Sequence, residues 1–223
     1  MLVTILGAHG AIARHLTRSL AAVGDQVRGV VRNPDHHADL VADGAEPRVC
    51  DLETADDAAI DAALAGSDVV VFAAGAGPGS GAARKEALDR DGAIRAADSA
   101  VRLGIARFLV VSAMGTDDPP ADDEVFSVYL RAKADADAAV RRAGLDHTIV
   151  RPGGLTDDPP TGHVALARHV APGSVPRADV AAVLAALVHD PASAGRTVEL
   201  VGGDVPIAEA VAALAGSVEP DRG

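Results

Sequence analysis

Tyr129 and Lys133 stand four residues apart in the run Tyr129-Leu130-Arg131-Ala132-Lys133. On a helix, positions i and i+4 share one face. A phenol ionises near pH 10 and is a poor proton donor at neutrality. A neighbouring ammonium stabilises the phenolate and so lowers that pKa. The pair predicts a general acid or base, with an ordinary amphipathic helix pair as the alternative. Both residue types are scarce. Tyr129 is the single tyrosine of 223 residues, and Lys85 and Lys133 are the two lysines against eighteen arginines. Upstream, Ser112 ends the apolar run Val110-Val111-Ser112. Its hydroxyl is suited to hydrogen-bond a substrate carbonyl.

A second constellation opens the chain. The strand-like run Leu2-Val3-Thr4-Ile5-Leu6 enters Gly7-Ala8-His9-Gly10-Ala11-Ile12-Ala13, which starts a helical pattern. This is G-x-x-G-x-x-A, a variant of the dinucleotide fingerprint. Its glycines permit a tight turn and close backbone approach to a pyrophosphate, and the helix start supplies free N–H groups. Gly7, Gly10, Ala11 and Ile12 are therefore expected to bind cofactor. The alternative is a structural turn. His9 either donates to a phosphate or is a solvent-facing loop residue, and Arg14 is expected to be surface charge.

The next two strand ends bear on cofactor choice. An acid ending the second strand would select NAD through the ribose 2′-OH. Here the strand ends Val30-Val31-Arg32, with Arg32 nineteen residues after Ala13. A guanidinium can pair with a 2′-phosphate, so NADP is expected and NAD remains possible. The alternative is a surface Arg32 with Asp35 or another group reading the ribose. Asp51 is placed to accept from the adenine amino group, and Leu52 to pack on the ring. Ala73, Ala74 and Gly75 are small enough for backbone to lie along a ribose. Cys50 reads as a buried core thiol, and His36 and His37 as exposed helix residues. No metal is expected.

The elements that must hold these residues alternate in type. Strands are expected at 2–6, 26–31, 46–50, 68–73, 107–111, 146–151 and 196–201. Helices are expected at 11–23, 35–42, 56–65, 83–103, 125–143, 177–189 and 207–214. Residues 155–176 read as irregular, with short strands around Val164 and Val170. This rhythm predicts an α/β fold, a doubly wound parallel sheet covered on both faces (a Rossmann fold). Residues 1–223 are expected to form one domain. Its substrate side would be built from about 112–124 and 153–176. The loop 112–124 carries Asp117, Asp118, Asp122, Asp123 and Glu124, expected to form a solvated rim or a lid. His147, His163 and His169 lack ligand spacing, although His163 and His169 are candidates to line a substrate pocket.

Composition removes several function classes. Twenty basic and 32 acidic residues leave a formal charge of −12, without the basic footprint that duplex binding needs. Aromatic residues make up only 2%, too few for stacking platforms on single strands. No apolar stretch approaches the ~18 residues of a membrane span. No signal peptide is visible, and one cysteine allows neither an internal disulfide nor a zinc cluster. The expected setting is cytoplasmic, with a small-molecule substrate and no nucleic-acid or membrane partner. The chain would be a monomer, or a homodimer paired through the helices at 83–103 and 125–143.

Taken in order, the motifs resemble the short-chain dehydrogenase/reductase superfamily. The closest likeness is to its small, single-domain atypical members, of NAD(P)-binding or epimerase-like type. Flavin and biliverdin reductases of the same build resemble it more distantly. The motifs are Gly7 to Ala13, Val30-Val31-Arg32, Asp51-Leu52, Phe72-Ala73-Ala74-Gly75, Val111-Ser112-Ala113, Tyr129 with Lys133, and Arg151-Pro152-Gly153-Gly154-Leu155. The resemblance implies that Tyr129 is the general acid/base. It implies that Lys133 holds the nicotinamide ribose and tunes Tyr129, and that Ser112 orients substrate. Pro152, Gly153, Gly154 and Leu155 would cover the nicotinamide. The implied chemistry is hydride transfer from NADPH to a small carbonyl-, quinone- or flavin-like substrate. Two alternatives stand beside it: a non-enzymatic NADP(H)-binding redox sensor, and an NAD-dependent epimerase or dehydratase.

Overall fold

A computed structural model describes residues 1–77 and 79–216. Its first half runs β1 (Leu2–Leu6), α1 (Ala11–Ala22), β2 (Gln26–Val31), α2 (His37–Ala42), β3 (Ala45–Val49), α3 (Asp57–Leu64) and β4 (Val69–Phe72). Then come α4 (Ala82–Arg84), a π-helical segment Lys85–Gly92, α5 (Ala93–Leu103), β5 (Arg107–Val111) and α6 (Val125–Arg142). The remainder is β6 (Asp146–Pro152), β7 (Gly154–Thr156), β8 (His163–Ala167), β9 (Ser174–Pro176), α7 (Arg177–Val188), β10 (Arg196–Gly202), β11 (Val205–Pro206) and α8 (Ile207–Leu214).

The central strands are apolar on both faces because each face meets helices. In β4, Val69 and Val71 enter one core while Val70 and Phe72 enter the other. That is the period-two alternation of a strand applied to two cores at once. The first core takes Leu16 and Leu20 of α1 with Leu184 and Leu187 of α7. The second takes Ile60 and Leu64 of α3, a row of alanines in α5, and Ala136 and Val140 of α6. Alanines at 93, 96, 97 and 100 let α5 lie close to the sheet. Phe72 and Phe108 are wholly buried, each contributing about 1.5–3 kcal/mol by burial alone.

The sheet order is β11-β8-β10-β6-β5-β4-β1-β2-β3. β1 is paired with both β2 and β4, so the chain reverses its winding direction there. The carboxyl ends of these strands frame a crevice at that switch point, where open α/β sheets take ligands. The expected doubly wound architecture is present.

Three details depart from expectation. The sheet is not wholly parallel, because β8 runs antiparallel to β10 and to β11. No strand forms at Val170; its amide is bound by the Glu199 carboxylate at 2.9 Å, and the strand falls instead at Ser174–Pro176. The long helix expected at 83–103 changes hydrogen-bonding register over Lys85–Gly92. Wide turns of this type are frequent at functional sites. No described helix is long and apolar enough to cross a membrane.

Candidate functional site

The turn after β1 is set by close backbone approach. Gly7 has φ +80°, and a Cβ there would lie 2.5 Å from Ala74 Cα. The Gly7 and Ala8 amides both donate to Val30 O at 3.1 Å, which ties the turn to β2. Gly10 then opens α1 with no side-chain cap, and the first turn of the helix carries no acidic residue. The first-turn amides are left facing the crevice with the positive end of the helix dipole behind them. This cradle fits a pyrophosphate. A Gly7→Ala change is expected to cost about 1–3 kcal/mol from the left-handed backbone alone. Pushing Ala74 away adds to that cost, and NADPH affinity falls with it. Denaturant unfolding and calorimetric NADPH titration check the two effects.

The crevice has two lobes, of about 590 and 320 Å³. They meet along Gly10 and Ala73 to Gly75. The smaller lobe is lined by Val30, Arg32, Asp51, Leu52 and, unforeseen from sequence, Glu53 and Arg84. Arg32 is half exposed and reaches Glu53 Oε1 at 3.4 Å, while Arg84 grips the same carboxylate at 2.9 Å. Two guanidiniums thus share one anion. Asp51 Oδ1 accepts the Glu53 amide at 3.1 Å, so one of its oxygens shapes the turn. His9 points across the lobe entrance, stacked on His36 and paired with Asp39 at 2.8 Å. The His9 ring beside Asp39 holds that carboxyl below its usual range. Cys50 is buried, and burial pushes its thiol up.

The larger lobe brings together Ser112, Tyr129 and Lys133, together with Ala11, Ile12 and Leu155. β5 delivers Ser112, whose amide is fixed by Val150 O at 2.7 Å. The spacing on α6 turns Tyr129 and Lys133 to the same side. Lys133 is buried, donating to Val111 O at 3.0 Å and pairing with Asp89 at 3.2 Å. Asp89 is wholly buried and also accepts the Ala76 amide at 3.1 Å. Lys85 Nζ stands 5.0 Å from the Tyr129 centroid, and Lys133 Nζ 5.9 Å. Both lysines of the chain therefore lie within 6 Å of the ring of its one tyrosine.

This arrangement corrects the expected tuning. Burial pushes the Tyr129 phenol up, Lys133 pulls it down, and Asp89 and Asp137 push it up again. The net shift is upward because burial is the largest of these influences, with Asp89 and Asp137 adding to it against the Lys133 charge.

Beneath the site lies a chain of charges. Asp137 continues the Tyr129 and Lys133 stripe one turn further and is wholly buried. Arg151 Nε reaches its carboxylate at 3.0 Å, and Arg151 Nη1 reaches Asp117 at 2.6 Å. Burial pushes Asp137 up, while Arg151, Ser112 and Lys133 draw it down. Asp117, His169 and Glu199 bring ligand atoms within 4.8 Å of one another. Arg151 and the Val170 amide already occupy Asp117 and Glu199 there.

Other expected residues sit differently. The Gly153 and Gly154 amides are bound by Leu200 O and Gly173 O, both at 2.9 Å, so they join strands together. Of Pro152 to Leu155, Leu155 lines the larger lobe. His163 bonds back to Thr161, and neither it nor His169 lines either lobe. In the acidic loop, Asp118, Asp122, Asp123 and Glu124 are exposed, and Arg131 anchors the loop through Pro120 O and Asp122 O. Sequence reasoning missed Lys85, Asp89, Asp137 and Arg151. The Lys133-to-Asp137 spacing was a usable signal for one of them.

A family described as NAD(P)H-binding matches residues 7–191. A Bacillus subtilis protein described as an uncharacterized sugar epimerase, YhfK, is 36% identical over 96% of this chain and 100% of its own. A solved Bacillus halodurans structure, provisionally described as an NAD-dependent epimerase/dehydratase, superposes with TM-score 0.90 at 39% identity. It covers 96% of this chain and 99% of its own. The anaerobillin reductase ChuY of Escherichia coli O157:H7 gives TM-score 0.78 at 25% identity, over 92% of this chain and 98% of its own. The chain belongs to this NAD(P)H-binding family.

Proposed function

We propose that the protein is an NADP(H)-dependent reductase of a small carbonyl-, quinone- or flavin-like substrate. The supporting observation is that Ser112, Tyr129 and Lys133 share one lobe with the uncapped start of α1. NADPH, when bound, supplies the hydride. Ser112 would hydrogen-bond the substrate oxygen. Tyr129, kept protonated by its buried setting, would give its proton to that oxygen as the product forms. Lys133 is held by Asp89 and Val111 O at the position from which it would donate to the ribose. Small Ala73, Ala74 and Gly75 would leave room for the cofactor along β4. NADPH oxidation against a panel of ketones, quinones and flavins tests the reading; no turnover with any of them would overturn it.

Preference for NADPH is supported by Arg32 and Arg84 around Glu53 in the smaller lobe. A charge-assisted contact to phosphate is worth about 1.5–3 kcal/mol, so Arg32→Ala is expected to weaken NADPH binding about 10–100-fold. NADH affinity should stay within about threefold, since NADH has no 2′-phosphate to lose. Parallel titrations with both cofactors check this. The names of the two Bacillus relatives favour a second reading, an epimerase with tightly held NAD. Copurification of NAD instead of NADP(H) would select it.

A further inference from the structure

The larger lobe is positive in a protein whose formal charge is −12. Its charged lining consists of Lys85, Lys133, Arg177 and one carboxylate, Asp89. Asp89 is engaged with Lys133, which leaves two cations over. Arg177 pairs at 2.8 Å with Asp157, a largely solvated partner. Lys85 is different. Its side chain is buried, and its hydrogen bond goes to a neutral acceptor, Gly77 O, at 2.9 Å. Among the described residues no carboxylate pairs with it; Asp89, four residues on, is turned to Lys133. A buried cation is normally matched by an anion, and walls of low dielectric strengthen any anion that reaches it.

Part of the same lobe is apolar and open. Val125, Phe126 and Leu155 line it and stay 44%, 67% and 39% exposed. Phe126 stands 5.9 Å from the Tyr129 ring. Large apolar side chains left open beside a cavity mark a surface that a ligand covers.

We propose that the substrate is an organic anion. Its carboxylate pairs with Lys85, and its apolar body of aromatic size lies on Val125, Phe126 and Leu155. This rests on the reductase reading above and adds the chemical class of substrate. The position of Lys85 over Tyr129 sets the anionic group close to the atom that receives the proton. The anion belongs to the substrate and not to the cofactor, whose pyrophosphate has its own cradle at Gly10 to Ile12.

The test uses two probes of one shape, naphthoate and its neutral analogue naphthamide. Both are titrated calorimetrically into protein saturated with NADP+. Naphthoate is expected to bind at least about tenfold tighter. Lys85→Met should bring the two to parity without changing naphthamide or NADPH affinity, and Lys85→Arg should keep the preference. Equal binding of the two probes to the unaltered protein, or binding of neither, overturns the inference without need of a variant. A preference that survives in Lys85→Met also overturns it. A fall in NADPH affinity in Lys85→Met assigns the lysine to the cofactor and overturns it as well. Failure of the unaltered protein to bind NADPH is a separate result and refutes the reductase reading itself.

Discussion

Replacing Tyr129 with Phe is expected to lower kcat for NADPH-dependent reduction by about 10²–10⁴-fold, the usual worth of a positioned proton donor. NADPH affinity should be unchanged, because the substitution keeps the ring beside Lys85 and Lys133 and removes only the hydroxyl. The upward shift of the phenol fixes the direction of the chemistry. A donor must hold its proton, and burial keeps this one protonated above its ordinary value of 10.0. Reduction should therefore be insensitive to Tyr129 ionisation across neutral pH and fail only in strong alkali. Oxidation of the product alcohol needs the phenolate and should rise as pH increases. Since Tyr129 is the only tyrosine, its ionisation can be followed by near-ultraviolet absorbance with no other phenol contributing. Retained turnover in Tyr129→Phe would remove its role as acid. A phenol titrating below 10 would remove the directional argument.

The features that could be read in the sequence were local ones. The Gly7 turn was legible because φ +80° and the approach of Ala74 admit only glycine there. Tyr129 and Lys133 were legible because a helix forces i and i+4 together. Apolar runs such as Val69 to Phe72 declared a sheet covered on both sides. What stayed hidden depends on distant partners. The net effect on the Tyr129 phenol came first from burial in the folded crevice and then from Asp89, brought in from a separate helix whose wider turns a 3.6-residue period does not anticipate. Arg151 lay inside a recognisable motif, yet its burial between Asp137 and Asp117 follows from the pairing of α6 with β6 and the loop after β5. Lys85 was conspicuous as one of two lysines. Its place beside the Tyr129 ring required the tertiary fold.

Arg151→Met should be the most destabilising of these substitutions. Arg151 is almost wholly buried and bonds Asp137, which is wholly buried too. Removing one member of such a pair strands the other charge and costs about 3–5 kcal/mol at neutral pH. For a chain of this size that is roughly a 6–20 °C fall in Tm. The pH dependence separates this cause from lost packing. Burial already raises Asp137 above its unfolded value of 3.8, and without Arg151 the carboxyl rises further. A raised carboxyl binds protons in the folded state that the unfolded chain lacks. Its stabilising contribution is complete below the unfolded pKa and is lost as pH climbs through the folded one. Asp117 has the opposite shift but enlarges the same deficit at neutral pH. Arg151 holds it low in the unaltered protein, so that its contribution is present at neutral pH and lost on acidification. The deficit of the variant should shrink as pH falls from neutrality toward the unfolded carboxyl value of 3.8, read by denaturant unfolding at each pH. Replacing both partners, Arg151→Met with Asp137→Leu, should recover much of the loss, since an apolar pair of similar volume leaves no stranded charge. A deficit constant with pH, or a double variant as unstable as the single one, would show that the arginine acts through shape and not through charge.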